Sequence, residues 1–282
     1  MSPYFVVEGG HRLGGTVRPV GNKNAALPIL AATLLADGPV VLHNVPHIRD
    51  VETMLDLLRA QNVRAEWRDE HTLEMDARAA SATDPDPVLC GKIRASILLA
   101  GPMLARFGRV RLPPPGGDVI GRRRIDTHLL ALGRLGAEIN VGATYDFEAK
   151  RLTGDDIFLD EASVTGTENA LMAAVAAKGR TVLRNAASEP HVQDTARFLA
   201  AMGASIEGIG TNTITIEGGR PLGGAEFTIG PDHIEIGSFI GLAAVTDSPI
   251  TIEGVRPDDL RATLVGFGKL GVEPRIDGDS LI

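Results

Sequence analysis

The sequence predicts an α/β protein in which strand-and-helix units repeat and pack around internal helices, and three observations carry that expectation. A block with one grammar occurs four times, at a spacing of about 70 residues. In each block a β-branched strand follows an Ala/Leu-rich helix, and an amphipathic helix follows the strand. The segments between blocks vary, with Asp84-Pro85-Asp86-Pro87 in one and Thr153-Gly154-Asp155-Asp156 in another. Such variation favours a globular arrangement over a solenoid.

The strand entries are Gly38-Pro39-Val40-Val41-Leu42, Gly108-Arg109-Val110-Arg111-Leu112, Gly179-Arg180-Thr181-Val182-Leu183 and Ser248-Pro249-Ile250-Thr251-Ile252. The helices ahead of them, Ala25 to Leu35, Ala95 to Leu104, Asn169 to Ala177 and Gly237 to Val245, are apolar on most sides and read as buried. The helices behind them are amphipathic: Val51, Met54, Leu55 and Leu58 share one face, as do Val192, Ala196, Leu199 and Met202. They end near Gln61-Asn62, Leu135-Gly136, Met202-Gly203 and Leu270-Gly271, where Gly, and next Asn, suits a left-handed C-terminal cap.

Composition sets the outer bounds. The 282 residues, 44% hydrophobic and 4% aromatic, suffice for one large or two ordinary domains with aliphatic cores. The 36 acidic and 28 basic residues give a formal charge of -8. That disfavours a nucleic-acid partner, although local basic clusters can hold small anions. No stretch approaches the roughly 18 apolar residues of a membrane span. Met1-Ser2-Pro3-Tyr4 lacks the pattern of an export signal, so a cytoplasmic protein without a membrane partner is expected. The single cysteine, Cys90, excludes an internal disulfide framework and reads as a small buried residue.

Four segments are candidates for chemistry. Gly21-Asn22-Lys23-Asn24-Ala25-Ala26-Leu27-Pro28 opens an apolar helix, where free N–H groups and the helix dipole favour anions and Lys23 adds a full charge. A capped helix start with a solvated lysine is the plainer reading. Pro113 to His128 is a stiff, then flexible loop leading into a helix. Its Asp118, between glycines and three arginines, is either a general acid or an ion-pair partner, and the pair is the commoner outcome. Arg122, Arg123 and Arg124 beside Asp126 and His128 suit phosphate recognition or a solvated surface run. Arg94 in Gly91-Lys92-Ile93-Arg94-Ala95-Ser96-Ile97 is again basic at a helix start. Ser163-Val164-Thr165-Gly166-Thr167-Glu168-Asn169 can cap a helix or bind a polar ligand, capping being the commoner use. His191 and His233 lack partners at metal-ligand spacing and read as structural or surface residues, so no metal is expected.

The order of these signals is more specific than any one of them. Gly-x-Lys-Asn-Ala-Ala-Leu-Pro, Arg-Ala-Ser-Ile, Pro-Gly-Gly-x-x-Ile-Gly-x-Arg, Ser-Val-x-Gly-Thr-Glu-Asn and Asn-Ala-Ala-x-Glu-Pro follow one another. From Glu8 onward the chain resembles the UDP-N-acetylglucosamine 1-carboxyvinyltransferase family of enolpyruvyl transferases.

That resemblance implies an inside-out barrel of βαβαββ-type repeats, six in the family, arranged as two three-repeat domains. Residues 22-230 then correspond to one complete domain, and residues 1-21 and 231-282 to an incomplete second one. The chain would be truncated at the C-terminus, its turnover absent when alone and apolar surface exposed from Ile234 to Ile252. The implied reaction transfers the enolpyruvyl group of phosphoenolpyruvate to the 3'-hydroxyl of UDP-N-acetylglucosamine, releases phosphate, and commits the sugar to peptidoglycan synthesis. No cofactor is implied.

By the same resemblance Lys23 and Asn24 hold phosphoenolpyruvate and Arg123 is a further anion contact. Arg94, the run Arg123, Arg124, Ile125, Asp126 and Thr127, and Glu161, Ala162, Ser163 and Val164 line the sugar-nucleotide site. Arg124 stands where the family usually has proline, Glu161 where a lysine can occur, and Thr165 where glycine is common. Asp118 occupies the place of the usual catalytic cysteine and takes the role of general acid, with fosfomycin resistance as a consequence. The sister enzymes acting on shikimate 3-phosphate share the repeat fold, but their lysine-serine opening and Gly-Asn-Ala-Gly-Thr motif are not found. The alternative of another class is a partial, non-catalytic nucleotide-sugar-binding chain.

Overall fold

Each expected strand entry is a strand: Val40–His43, Arg109–Leu112, Gly179–Arg184 and Ile250–Glu253. The structure, a computed structural model, describes residues 4–81, 84–117, 121 and 124–282. Contacts between residues divide it into two units. One is Gly21–Gly230, and the other runs to Val20 and resumes from Pro231 to Ile282.

In the larger unit the repeat is visible as sheet topology. Val40–His43 pairs antiparallel with Leu73–Asp76, which pairs antiparallel with Arg64–Trp67. Arg109–Leu112 and Gly179–Arg184 repeat that pattern with Tyr145–Glu148 and Thr213–Gly218. A parallel strand flanks two of these sheets: Asp156–Phe158 joins Gly179–Arg184, and Ala225–Thr228 joins Val40–His43. The last pairing brings residues near 225 back to the first sheet, so the unit closes on itself where a solenoid would leave its first and last repeats apart.

The junctions repeat as well. Asn44 and Asn185, each just after an entry strand, adopt φ of 55° and 57°. Their Nδ2 groups donate to the carbonyls of Ile229 (3.0 Å) and Leu159 (2.9 Å), each just past the parallel neighbour strand. Asparagine tolerates this left-handed backbone, and its amide satisfies a carbonyl at the sheet edge. The cap expectation holds in all four places, with φ of 61° at Asn62, 102° at Gly136, 107° at Gly203 and 77° at Gly271.

Helices Lys23–Ala32 and Val164–Ala174 are almost wholly buried, and the second encloses the polar Thr167, Glu168 and Asn169 along with its apolar residues. The segment expected from Ala95 to Leu104 is a 3-10 helix over Arg94–Leu99 followed by an α-helix over Ala100–Phe107. Pro102 lacks the N–H that would bond the Leu98 carbonyl in a continuous α-helix. These three pack on one another inside the unit, and amphipathic helices such as Arg49–Ala60 and Pro190–Ala201 turn Val51, Met54, Leu55 and Leu58, or Val192, Ala196 and Leu199, into the same core.

The smaller unit holds a sheet in which Gly15–Val17 runs parallel to Ile250–Glu253. Its core is small: Ile236, Ile240, Ile252, Val255, Leu260 and Leu281. The apolar run Gly237 to Val245 reads as buried, but in helix His233–Val245 only Ile236 and Ile240 are, while Ile234, Leu242 and Val245 are exposed, as the resemblance implies for Ile234 to Ile252. Within its unit it packs on strand Ile250–Glu253, with Phe239, Leu264 and Phe267 against the small core. Among the described residues no helix is long and apolar enough to cross a membrane.

Candidate active site

Three helix starts in the larger unit border one cleft of about 580 Å³. Lys23 and Asn24 begin Lys23–Ala32, Arg94 begins Arg94–Leu99, and Val164 begins Val164–Ala174. Each start leaves backbone N–H groups directed outward, and the dipole of a helix adds partial positive charge there. Local sequence fixes the starts. Asn22 Oδ1 accepts from Ala25 N (3.1 Å), its N–H donates to Gly230 O (2.8 Å), and Ser163 Oγ accepts from Gly166 N (3.2 Å). Ser163 therefore caps its helix, the commoner use of such a residue, while also lining the cleft.

Lys23, Asn24, Arg94 and Glu161 to Val164, candidates separated by up to 141 residues in sequence, line this single cleft. Lys23 Nζ lies 3.2 Å from Asp50 Oδ2, both side chains being roughly two-fifths exposed. Gly117 reaches the same wall at φ 85°, where a Cβ would come within 2.9 Å of Arg94 N. At Gly116 a Cβ would fall 1.8 Å from the Gly91 carbonyl oxygen, so the Gly-Gly pair is what lets this chain lie against the segment leading to Arg94.

Arg124, Ile125, Asp126 and Thr127 are not among the cleft-lining residues but adjoin them. Arg94 Nη2 donates to the Arg124 carbonyl (3.3 Å), and the Arg124 side chain pairs with Asp126. Ile125 and Thr127 are buried, and Thr127 Oγ1 donates to Asp160 Oδ1 (2.7 Å). Asp118 and Arg123 lie outside the described residues.

His128, considered with the arginines for phosphate recognition, is instead buried. Asn169 Nδ2 donates to its Nδ1 (2.8 Å), which leaves Nε2–H to donate to Thr165 Oγ1 (3.1 Å). Burial first, then the charge of Arg94, pushes the imidazole down to about 4, so it is neutral at physiological pH. Asn169 also donates to Ile97 O (2.8 Å) and accepts from Gly101 N (2.8 Å), tying three buried helices together below the cleft. Cys90 is buried as expected, and burial pushes its thiol up to about 11.

Sequence reasoning passed over four other lining residues: Asp50, Lys92, Glu168 and His191. His191 read as structural or surface, and Glu168 stood inside a quoted motif without a role. Helical spacing carried the missing signal, since Val164, Thr165 and Glu168 share one face of their helix.

The sequence profile of the EPSP synthase (3-phosphoshikimate 1-carboxyvinyltransferase) family matches residues 7–273. A UDP-N-acetylglucosamine 1-carboxyvinyltransferase of Bradyrhizobium diazoefficiens is 60% identical over 278 residues, 99% of this chain and 64% of that protein. Its counterpart in Treponema denticola is 50% identical over 277 residues, 98% and 65% respectively. The chain thus spans just under two thirds of the length of these relatives. Among solved structures, the enolpyruvyl transferase NikO from Streptomyces tendae superposes with a TM-score of 0.84 at 26% identity, covering 97% of this chain and 66% of that one. EPSP synthase from Acinetobacter baumannii, with a TM-score of 0.73 at 21% identity over 97% of this chain and 64% of that one, shares the fold.

Proposed function

We propose that this chain, which belongs to the EPSP synthase (3-phosphoshikimate 1-carboxyvinyltransferase) family, carries the substrate cleft of an enolpyruvyl transferase acting on phosphoenolpyruvate and UDP-N-acetylglucosamine. The reaction would be a cytoplasmic step of peptidoglycan synthesis. One observation carries the reading. The cleft at three helix starts gathers Lys23, Asn24, Arg94 and Glu161 to Val164, the residues whose motifs resemble the substrate contacts of the UDP-N-acetylglucosamine 1-carboxyvinyltransferases. Both substrates are anions, and helix N-termini with Lys23 and Arg94 supply the complementary field. The 60% identity to the Bradyrhizobium protein favours the sugar nucleotide over shikimate 3-phosphate as acceptor.

In the proposed chemistry the sugar 3'-hydroxyl adds to C2 of phosphoenolpyruvate while a proton is delivered to C3. Loss of phosphate from the tetrahedral intermediate then leaves the enolpyruvyl ether. Lys23 and Asn24 hold phosphoenolpyruvate with Arg123 as a further contact. Arg94, Arg123 to Thr127 and Glu161 to Val164 hold the sugar nucleotide, and Asp118 is the general acid. A carboxylic acid suits that role when a closed site and two bound anions raise its pKa. Residues 22–230 form the complete three-repeat domain in this reading.

Calorimetric titration with UDP-N-acetylglucosamine tests it. The parent chain should bind and Arg94→Ala should bind about tenfold or more weakly, the scale of a lost charged hydrogen bond. No binding by the parent rejects the reading. Phosphate released when phosphoenolpyruvate is added separates transfer from binding alone.

A further inference from the structure

Glu168 is 1% exposed, and its Oε1 has no hydrogen-bond partner among the described residues. Its neighbours in sequence are satisfied: Thr167 Oγ1 accepts from Ala187 N (3.0 Å), and Asn169 makes the contacts described above. Glu168 is also part of the cleft wall, one turn beyond Val164 on the same helix face. A buried carboxyl without a partner costs free energy, and such groups in folded proteins call for an explanation. Its place in the cleft wall supplies one: the partner is the ligand.

We propose that Glu168 is a ligand-binding residue whose neutral carboxyl donates its O–H to a phosphate or carboxylate oxygen of the anion held beside Lys23. The inference rests on the cleft being the substrate site. Burial, and then the negative charge of Glu189, hold the group well above the usual carboxylate range. A protonated carboxyl offers one O–H donor and adds no charge to repel an anion. Ionised, it would set a negative charge against the ligand.

The charges around Glu168 come from several elements. Helix Lys23–Ala32 contributes Lys23, and the segment at Arg94–Leu99 contributes Arg94 and the preceding Lys92. Helix Asp126–Arg134 contributes His128, held neutral, and helix Pro190–Ala201 contributes His191, with Glu189 just ahead of it. Asp50 and Glu161 complete the charged lining among the described residues. Helix Ala100–Phe107 and strands Gly179–Arg184 and Thr213–Gly218 bury only uncharged residues. A comparison in which only Glu168 changes isolates its titration from these groups.

Phosphoenolpyruvate is the probe, titrated into the parent chain, Glu168→Gln and Glu168→Leu from pH 6.5 to 9.5, with thermal melts confirming that each is folded. The parent should lose affinity as rising pH ionises Glu168. Glu168→Gln, which keeps an N–H donor and carries no charge, should bind within about threefold of the parent at pH 6.5 and lack that component of the loss. Glu168→Leu should bind about tenfold more weakly at pH 6.5, the scale of one lost hydrogen bond to a charged partner. Coincident pH profiles for parent and Glu168→Gln, or parent-like binding by Glu168→Leu, overturn the inference and leave the substrate reading standing. Failure of the parent to bind overturns both.

Discussion

Lys23 Nζ sits 3.2 Å from Asp50 Oδ2, so the cation at the first helix start is held by a carboxylate from the neighbouring amphipathic helix. Both groups remain partly in water, and such a pair contributes only about 0–1 kcal/mol to stability. Lys23→Ala should therefore leave the melting temperature nearly unchanged while weakening phosphoenolpyruvate binding by about 1.5–3 kcal/mol. Equal calorimetric affinity in variant and parent would refute the assignment of Lys23.

In the proposed site Asp118 stands where the family resemblance places the thiol that fosfomycin alkylates. A carboxylate is a poorer nucleophile towards an epoxide than a thiolate. Mass spectrometry of the drug-treated chain should find no adduct on Asp118, and Asp118→Cys should acquire one. An adduct on Asp118 itself would contradict the proposed resistance.

His128 makes acid stability testable. Its imidazole is depressed from the ordinary 6.5 to about 4, so between those values the unfolded chain binds more protons than the folded one. The stabilisation is fully present above pH 6.5 and is lost as pH falls towards 4, by on the order of 3 kcal/mol. Urea midpoints should fall over that interval in the parent and fall less in His128→Gln. Parallel curves would show that His128 is charged in the fold.

Gly101 faces Asn169 so closely that an added Cβ would lie 2.6 Å from the Asn169 carbonyl oxygen and 2.8 Å from Oδ1. Gly101→Ala should cost about 1–3 kcal/mol of stability through overpacking and loss of the Gly101 N–H contact. Denaturation with the parent's midpoint would show that the two helices can separate freely.

Local chemistry made much of this legible in the sequence. The four strand entries, the left-handed caps at Asn62, Gly136, Gly203 and Gly271, and Lys23, Arg94 and Ser163 at helix starts follow from glycine placement, β-branching, charge and capping, whereas Asn24, Glu161, Ala162 and Val164 are pointed to by the motif resemblance. What escaped depends on packing between distant elements. Apolar periodicity could not tell that His233–Val245 buries only Ile236 and Ile240, because burial is decided by neighbours and not by the helix itself. The burial of His128 under Asn169 and Thr165 arises from one helix whose contacting residues lie 41 and 37 positions away, and the place of Glu168 in the cleft wall depends on that same packing.

Hydrogen–deuterium exchange with and without UDP-N-acetylglucosamine tests the central claim, that one cleft at three helix starts receives the substrate. Protection should appear together at residues 23–27, 92–98 and 161–168 and be lost in Arg94→Ala. Binding that protects none of these segments, or protects them equally in the variant, would contradict it.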